Sequence, residues 1–195
     1  MSKATLSPNT DTRVRRRPWR RVLVAATAAA LVLVPAAGAY ELPPRLNEVA
    51  RVYSLGVGEV RCASEEEWDS DFAASVGWAY TNVPAEYAVL GPPVCAGALG
   101  VGSVDVPAWQ QALGTLVLVH EAFHLRRWRF RRDEGKVECQ AMVYFKEAAQ
   151  RLGASPAQAE ALYPYALALH RWQVTLFPRY RDPKCLLPSW APPVR

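Results

Sequence analysis

The sequence LGTLVLVHEAFH occupies residues 113–124 and predicts a helix at the centre of the fold. Its first seven residues are almost wholly apolar, which is typical of a buried helix. His120 and His124 are four residues apart, so on a helix both imidazoles share one face and can bind one zinc ion. Glu121 lies between them and can polarise a zinc-bound water molecule. The stretch therefore predicts a buried metal-binding helix that extends over about residues 108–127.

The next helix is expected to supply a third ligand. It is predicted over residues 134–152, and Glu134 and Glu138 lie one turn apart on it. If the two helices form an antiparallel hairpin that turns near Arg131, Glu138 lies opposite His124. We therefore predict that Glu138 is the third metal ligand and that Glu134 hydrogen-bonds to a histidine. The reversed assignment is the alternative.

These two helices resemble the gluzincin class of zinc metallopeptidases, in which the third ligand is a glutamate on the helix after the two histidines. They are also similar to small exported zincin-like proteins of actinobacteria. The residues that carry the resemblance are His120-Glu121-Ala122-Phe123-His124, Asp133-Glu134-Gly135 and Glu138-Cys139-Gln140-Ala141. The resemblance covers about residues 57–185 and implies a zincin-like peptidase domain with a zinc cofactor. The long, arginine-rich link between the two motifs departs from the family pattern, so the choice between the two glutamates stays open.

The third histidine of the chain, His170, lies on a later helix. That helix is predicted to begin after Ser155 and to continue to residue 177, and it also carries Tyr163 and Tyr165. Zincins usually give a histidine or tyrosine outside the motif the task of donating a hydrogen bond to the transition-state oxyanion. Each of these three side chains could have that role, with ordinary packing as the alternative.

The four cysteines can all form disulfides, which suits a protein exported from the cytoplasm. Three pairings are possible. We favour Cys62 with Cys95 and Cys139 with Cys185, because this pairing closes one loop on each side of the metal-binding helix. Metal binding by the cysteines is less favoured, because no two lie close in sequence and their thiolates would compete with the histidine site.

Short β-prone segments precede the metal-binding helix. Strands are predicted over about residues 57–62, 78–81 and 86–90, and a helix over residues 65–76. Residues 91–106, which are rich in glycine and proline, are predicted to form a loop. The predicted class is α+β, mainly α: a minimal zincin-like metalloprotease domain with a metal-binding helical hairpin and a small β-hairpin or sheet. A strand pair beside the metal-binding helix also offers an edge on which an extended substrate could bind.

Residues 1–39 are expected to be a signal peptide or an N-terminal membrane anchor. They combine basic residues, an apolar run over residues 22–34 and the small residues 37–39 ahead of Tyr40, which is typical of an export signal. The apolar stretch that ends at residue 39 is 18 residues long, so an uncleaved anchor is the alternative. In both cases the predicted peptidase domain, residues 40–195, lies outside the cytoplasm, either secreted or anchored to the membrane.

The net charge of +5 comes from the N-terminal segment. Residues 1–39 contain seven Lys or Arg and one Asp, and the rest of the chain contains 16 basic and 17 acidic residues. A near-neutral domain gives nucleic-acid binding no global electrostatic support, so no nucleic-acid partner is expected. Five arginines lie among residues 126–132, interleaved with Trp128 and Phe130. They are expected to end the metal-binding helix, with a membrane or cell-envelope surface as an alternative partner for the patch.

Together these features predict an exported zinc metallopeptidase that acts on a peptide or protein substrate. His120, His124 and Glu138 would hold the zinc, and Glu121 would take a proton from the attacking water and pass it to the leaving amine. One alternative is a secreted or membrane-tethered binding protein with a structural zinc, which would need four ligands. The other is an envelope protein without a metal, which would leave two histidines on an apolar helix unexplained.

Overall fold

The computed structural model describes residues 42–71, 76–81, 86–126, 133–185 and 187. Within these residues the chain is mainly helical, as the sequence predicts, and it has six helices and one small sheet. In chain order the elements are α1 (Pro44–Ser54), β1 (Glu59–Cys62), α2 (Glu65–Asp71), β2 (Gly77–Tyr80), β3 (Tyr87–Leu90), α3 (Pro92–Leu99), α4 (Ala108–Leu125), α5 (Glu134–Arg151), α6 (Pro156–Leu176) and a 3₁₀ turn (Pro178–Tyr180).

Two of the predicted segments lie largely or wholly outside the described residues. These are the export or anchor segment over residues 1–39 and all of the arginine-rich patch except Arg126. In the described part of the chain, none of the helices has the length and apolar character that a membrane crossing requires.

The three strands form one sheet in the order β1-β3-β2. The predicted strand pair is confirmed as β2 and β3, which are antiparallel, and β1 joins the other side of β3 in parallel. The central strand β3 buries Ala88, Val89 and Leu90 completely, because it is covered on both faces. Strand β2 lies at an edge of the sheet and packs beside α4. This arrangement leaves one side of β2 next to α4, the helix that carries His120 and His124.

The predicted loop over residues 91–106 is wrong in its first half, which forms α3. Both prolines of α3 occupy its first turn, where a missing N–H costs nothing because that donor has no intrahelical partner. The glycines let α3 pack unusually close to α4: a Cβ atom on Gly97 would lie 2.1 Å from the Gln110 carbonyl oxygen, and one on Gly114 would lie 2.2 Å from the Ala98 nitrogen. Glycine here serves close helix packing rather than a turn.

Helix α4 lies at the centre of the molecule, and every residue from 114 to 125 is buried. It packs against α1, α3, α5, α6 and the sheet. The Phe123 ring contacts Tyr53 of α1 and Tyr144 of α5, with ring centroids 5.9 and 5.8 Å apart. A helix that is apolar on all sides needs neighbours on all sides. The two histidines and Glu121 are therefore held in the interior rather than on the surface.

Side-chain caps fix where the two following helices begin, at the predicted positions. Asp133 accepts a hydrogen bond from the Lys136 backbone N–H (3.1 Å), so α5 starts at Glu134. Ser155 and Gln158 form a capping box at the start of α6. A carboxylate in the first turn of a helix is also favoured by the helix dipole. Glu134 is thus placed at the N-terminal end of α5.

Both predicted disulfides are confirmed, with Cα–Cα distances of 5.8 Å for Cys62–Cys95 and 5.7 Å for Cys139–Cys185. The first joins β1 to α3, and the second joins α5 to the segment after the 3₁₀ turn. Removing a native disulfide from a small exported domain typically costs about 2–5 kcal/mol of stability. The second bridge has a further consequence, since Cys139 is the residue after Glu138. It holds the C-terminal segment beside the helix that carries both candidate glutamates.

Candidate metal centre

Three side-chain atoms on α4 and α5 form a triangle of the size that a tetrahedral metal ion requires. His120 Nε2 lies 3.1 Å from His124 Nε2, and Glu134 Oε2 lies 3.2 and 3.3 Å from these two nitrogens. A tetrahedron whose centre is about 2.0–2.1 Å from its corners has edges of about 3.3–3.4 Å. These three residues could therefore hold one metal ion.

The order of contacts along the two helices explains the triangle. His124 contacts Glu134 at the start of α5, and His120, one turn earlier on α4, reaches both Glu134 and Glu138. The helices are therefore antiparallel, as predicted. His124 lies opposite Glu134 rather than opposite Glu138, and His120 reaches Glu138 instead. The pairing of the two helices thus differs from the expected one by about one helical turn, and it brings Glu134 into register with the histidines.

Glu138, which the sequence argument favoured as third ligand, has a different set of contacts. Its Oε2 accepts a hydrogen bond from the Nδ1–H of His120 (2.9 Å), and its Oε1 lies 3.0 Å from Nδ1 of His170. Neither oxygen belongs to the triangle. A carboxylate on Nδ1 fixes the orientation of the imidazole and turns Nε2 toward the metal position. The alternative assignment, with Glu134 as ligand, is the one that this geometry favours.

The electrostatics of the cluster favour a cation in the triangle. Burial lowers the pKa of His120, but hydrogen bonds to Glu134 and Glu138 outweigh burial and raise that pKa to about 10. Burial likewise raises the pKa of Glu134, and its hydrogen bonds to His120 and His124 outweigh it and hold the pKa well below the ordinary value. Hydrogen bonds to histidines also hold the pKa of Glu138 below its ordinary value, so two ionised carboxylates adjoin His120. A metal ion can take the place of the proton on His120, and two imidazoles with one carboxylate are a donor set that suits such an ion.

Glu121 is buried next to this triangle and faces the same cavity. Burial raises the pKa of its carboxyl group above the ordinary value. Among the described residues no hydrogen bond ties its carboxylate down, and strand β2 passes very close to it. A Cβ atom on Gly77 would lie 2.8 Å from Glu121 Oε1 and 2.8 Å from Val117 Cγ1, so a larger residue at this position would displace these side chains. Glu121 is therefore placed to exchange protons with a molecule in the cavity.

The cavity is a cleft of about 490 Å³ between β2 on one side and α6 with the 3₁₀ turn on the other. Residues of α4 also line it, and so do the three residues of the metal triangle. Most of the wall is apolar, and Trp78 and Trp172 remain largely exposed at its rim. The lining residues outside the metal triangle include Gly77, Trp78, Leu113, Leu116, Val117, Glu121, Leu169, Trp172, Gln173, Phe177, Arg179 and Tyr180.

Tyr180 is a cleft residue that the sequence argument missed. Its ring centroid lies 5.8 Å from that of His120, and burial raises the pKa of its hydroxyl, which therefore stays a hydrogen-bond donor. Among the tyrosines proposed from sequence, Tyr163 is buried against Phe145 and Tyr165 is exposed, and neither lines the cleft. The predicted disulfide between Cys139 and Cys185 could have indicated this position for Tyr180, because it places the segment before Cys185 beside α5.

The 3₁₀ turn is held against α5 by backbone packing as well as by the disulfide. A Cβ atom on Gly135 would lie 2.8 Å from the Arg181 carbonyl oxygen, so the segment passes directly over the first turn of α5. Arg179 lies in this segment with its guanidinium 5.2 Å from the Tyr180 ring centroid. The wall of the cleft opposite β2 is thus fixed to the helix that carries Glu134.

Comparison with known proteins does not identify the chain: no family model, curated protein or solved structure matches it.

Proposed function

We propose that the protein is a zinc-dependent metallopeptidase whose metal is held by His120, His124 and Glu134. Glu134 replaces Glu138 in this proposal, because the Glu134 oxygen lies beside both Nε2 atoms. The observation that carries the proposal is the triangle of three donor atoms in the lining of a large cleft, with Glu121 buried beside it. Two imidazoles and one carboxylate with a free fourth position are the usual ligand set of a catalytic zinc.

A structural zinc, the alternative from another class, is less well supported. Structural sites are closed by four protein ligands. Of the His, Cys, Asp and Glu side chains that the structure describes, only three group together at a metal-binding distance. All four cysteines are in disulfides. The three residues of the triangle line the cleft, where a substrate can reach a metal ion that they hold.

The residues around the triangle support peptide hydrolysis. Zinc, when bound, supplies Lewis-acid polarisation of water and of a carbonyl group. Glu121 accepts a proton from the attacking water and donates it to the leaving amine, and its raised pKa suits a group that must do both near neutral pH. Tyr180, protonated and close to His120, donates a hydrogen bond to the negative charge that develops on the carbonyl oxygen.

Strand β2 and the apolar walls indicate the form of the substrate. In the order β1-β3-β2 the outer side of β2 is an edge of the sheet, and Gly77 and Trp78 on this strand line the cleft. An extended peptide can add to such an edge through main-chain hydrogen bonds. Leu116, Val117 and Leu169 line the cleft nearby and would accept bulky apolar side chains. We propose an extended peptide with apolar side chains near the cleaved bond.

We also propose that the protein works outside the cytoplasm, secreted or anchored through its N-terminal segment. The two disulfides support this location, because such bonds persist in oxidising compartments.

The experiment that tests the proposed function combines metal analysis with digestion of a peptide library. We expect about one zinc per chain, together with peptide cleavage that a chelator abolishes and added zinc restores. Cleavage sites identified by mass spectrometry should be enriched in bulky apolar residues. Stoichiometric zinc without cleavage of any library peptide would favour the structural-zinc alternative, and absence of bound metal would end the proposal.

Replacing Tyr180 with phenylalanine should lower kcat by about 100-fold or more while KM and zinc content stay near the wild-type values. The reason is that the lost hydroxyl stabilises the transition state and not the bound substrate. Steady-state kinetics on a peptide found in the library would measure the effect. Tyr165→Phe is the matched control, because this tyrosine is exposed on α6 and does not line the cleft. Equal loss in both variants, or a change in KM alone, would contradict the role given to Tyr180.

A further inference from the structure

All three histidines of the chain meet in one hydrogen-bonded cluster, although His170 is distant from the others in sequence. The cluster runs from His124 to His120 (3.1 Å), from His120 to Glu138 (2.9 Å) and from Glu138 to His170 (3.0 Å). The two contacts of Glu138 use different oxygens, and both reach an Nδ1 atom. His170 on α6 is therefore connected to the metal triangle through one carboxylate.

The burial of Glu138 makes its second hydrogen bond important. Its side chain is 1% exposed, so its two oxygens depend on His120 and His170 rather than on bulk water. A buried carboxylate oxygen that loses its donor carries the full cost of desolvation. Without His170, we expect Glu138 to turn toward another partner or toward solvent, and its hydrogen bond to His120 would then be lost or distorted.

The position of His170 on α6 supports a role toward the metal centre rather than general packing. Its hydrogen bond to Glu138 is the one side-chain hydrogen bond that it makes within the described residues. Leu169, Trp172 and Gln173, on the same part of α6, line the cleft. His170 thus lies where the cleft wall meets the helix that carries Glu138.

We propose that His170 is a positioning residue: it holds the Glu138 carboxylate in the orientation in which His120 presents Nε2 to the metal. This inference rests on the metal centre of the proposed function. It assigns His170 neither a metal contact nor a substrate contact. Its effect is transmitted through Glu138 alone, which distinguishes it from a residue that only stabilises the fold.

Zinc affinity of the full protein, measured by competition with a chromogenic chelator, tests the proposal. His170→Ala should weaken zinc binding by about 10 to 100-fold, the usual effect of removing a group that orients a metal ligand. His170→Asn should restore most of the affinity, because the Asn amide nitrogen takes the position of Nδ1 and donates the same hydrogen bond. Arg171→Ala, a change at the exposed neighbouring residue, is the control and should bind zinc as wild type does.

A double-mutant cycle separates positioning from general stabilisation. If His170 acts through Glu138, then His170→Ala should have almost no further effect on zinc affinity in a Glu138→Ala background, which removes the acceptor that the two histidines share. If the fold-losses in zinc affinity of the two single variants multiply in the double variant, the proposal is overturned. Wild-type affinity in His170→Ala, or failure of His170→Asn to restore binding, would also overturn it.

Failure of the proposed function gives a different result. If the wild-type protein binds no zinc, the metal centre is wrong, and the metal-free protein still decides the role of His170. NMR of the side-chain N–H protons should show a His120 Nδ1–H signal protected by its hydrogen bond to Glu138 in wild type and in His170→Asn, but not in His170→Ala. Equal protection in all three proteins would overturn the positioning role independently of zinc.

Discussion

Replacing Glu121 with glutamine should leave about one zinc per chain and lower kcat/KM for peptide cleavage by about 10² to 10⁴-fold. Glutamine keeps the size of the side chain but cannot accept and return a proton, which is the usual contribution of a general base. The substitution should not destabilise the fold, because it replaces a buried carboxyl group whose pKa is already raised by burial with a neutral amide. Metal analysis and steady-state kinetics on the same preparation would measure both quantities.

The control for this variant is Glu48→Gln, which makes the same chemical change on the exposed face of α1. It should retain wild-type zinc content and activity. Activity of Glu121→Gln within a few-fold of wild type would show that another group is the base. Loss of zinc from Glu121→Gln would show instead that this carboxylate belongs to the metal site.

The sequence predicts those parts of the fold that depend on local patterns. The apolar run before His120 predicts a buried helix, and the i, i+4 spacing of the histidines places both on one face. The caps at Asp133 and Ser155 predict where α5 and α6 begin, since they depend on residues only three apart. The disulfide pairing also follows, because each bridge closes a separate half of the chain.

Features that depend on contacts between distant segments are not predictable in the same way. The sequence predicts a loop in place of α3 because glycine and proline disfavour an isolated helix. In the structure the glycines permit close packing on α4, and the prolines lie in the first turn of α3. Tyr180 enters the cleft through packing of the C-terminal segment on Gly135, which no local pattern encodes. Tyr163 and Tyr165, which the sequence suggests as donors to the oxyanion, lie on α6. Other residues of α6 line the cleft, but these two do not.

The sequence does not decide between Glu134 and Glu138 for the same reason, since the answer depends on a contact between two helices. Both carboxylates lie on the face of α5 that meets α4, one turn apart, so periodicity selects the pair but not the member. Which residue of α5 lies opposite His124 depends on the point at which the chain reverses between the two helices, and the sequence does not give this point. Moving it by about two residues shifts the pairing of α4 with α5 by about one helical turn. The structure supplies this register through the contact of His124 with Glu134.

Glu134→Ala should be nearly free of metal after mild chelation, because it removes one of three donor atoms from the triangle. Glu138→Ala should retain zinc with an affinity about 10 to 100-fold weaker, because it removes the group that orients His120 and leaves all three donors in place. Chelator competition followed by metal analysis would rank the variants. His124→Ala provides the reference for loss of a ligand and should resemble Glu134→Ala.

The ranking of these two variants separates the two assignments because the glutamates differ in burial as well as in contacts. Glu138 is almost fully buried, and its removal leaves His120 and His170 without their shared acceptor. Glu134 is about one quarter exposed, so its removal should disturb the fold less. If loss of metal simply followed loss of stability, Glu138→Ala would be the more severely depleted variant. If Glu134→Ala loses more metal although its metal-free form has the higher melting temperature of the two, only direct ligation through Glu134 explains the result. Greater loss of metal in Glu138→Ala would restore Glu138 as the third ligand.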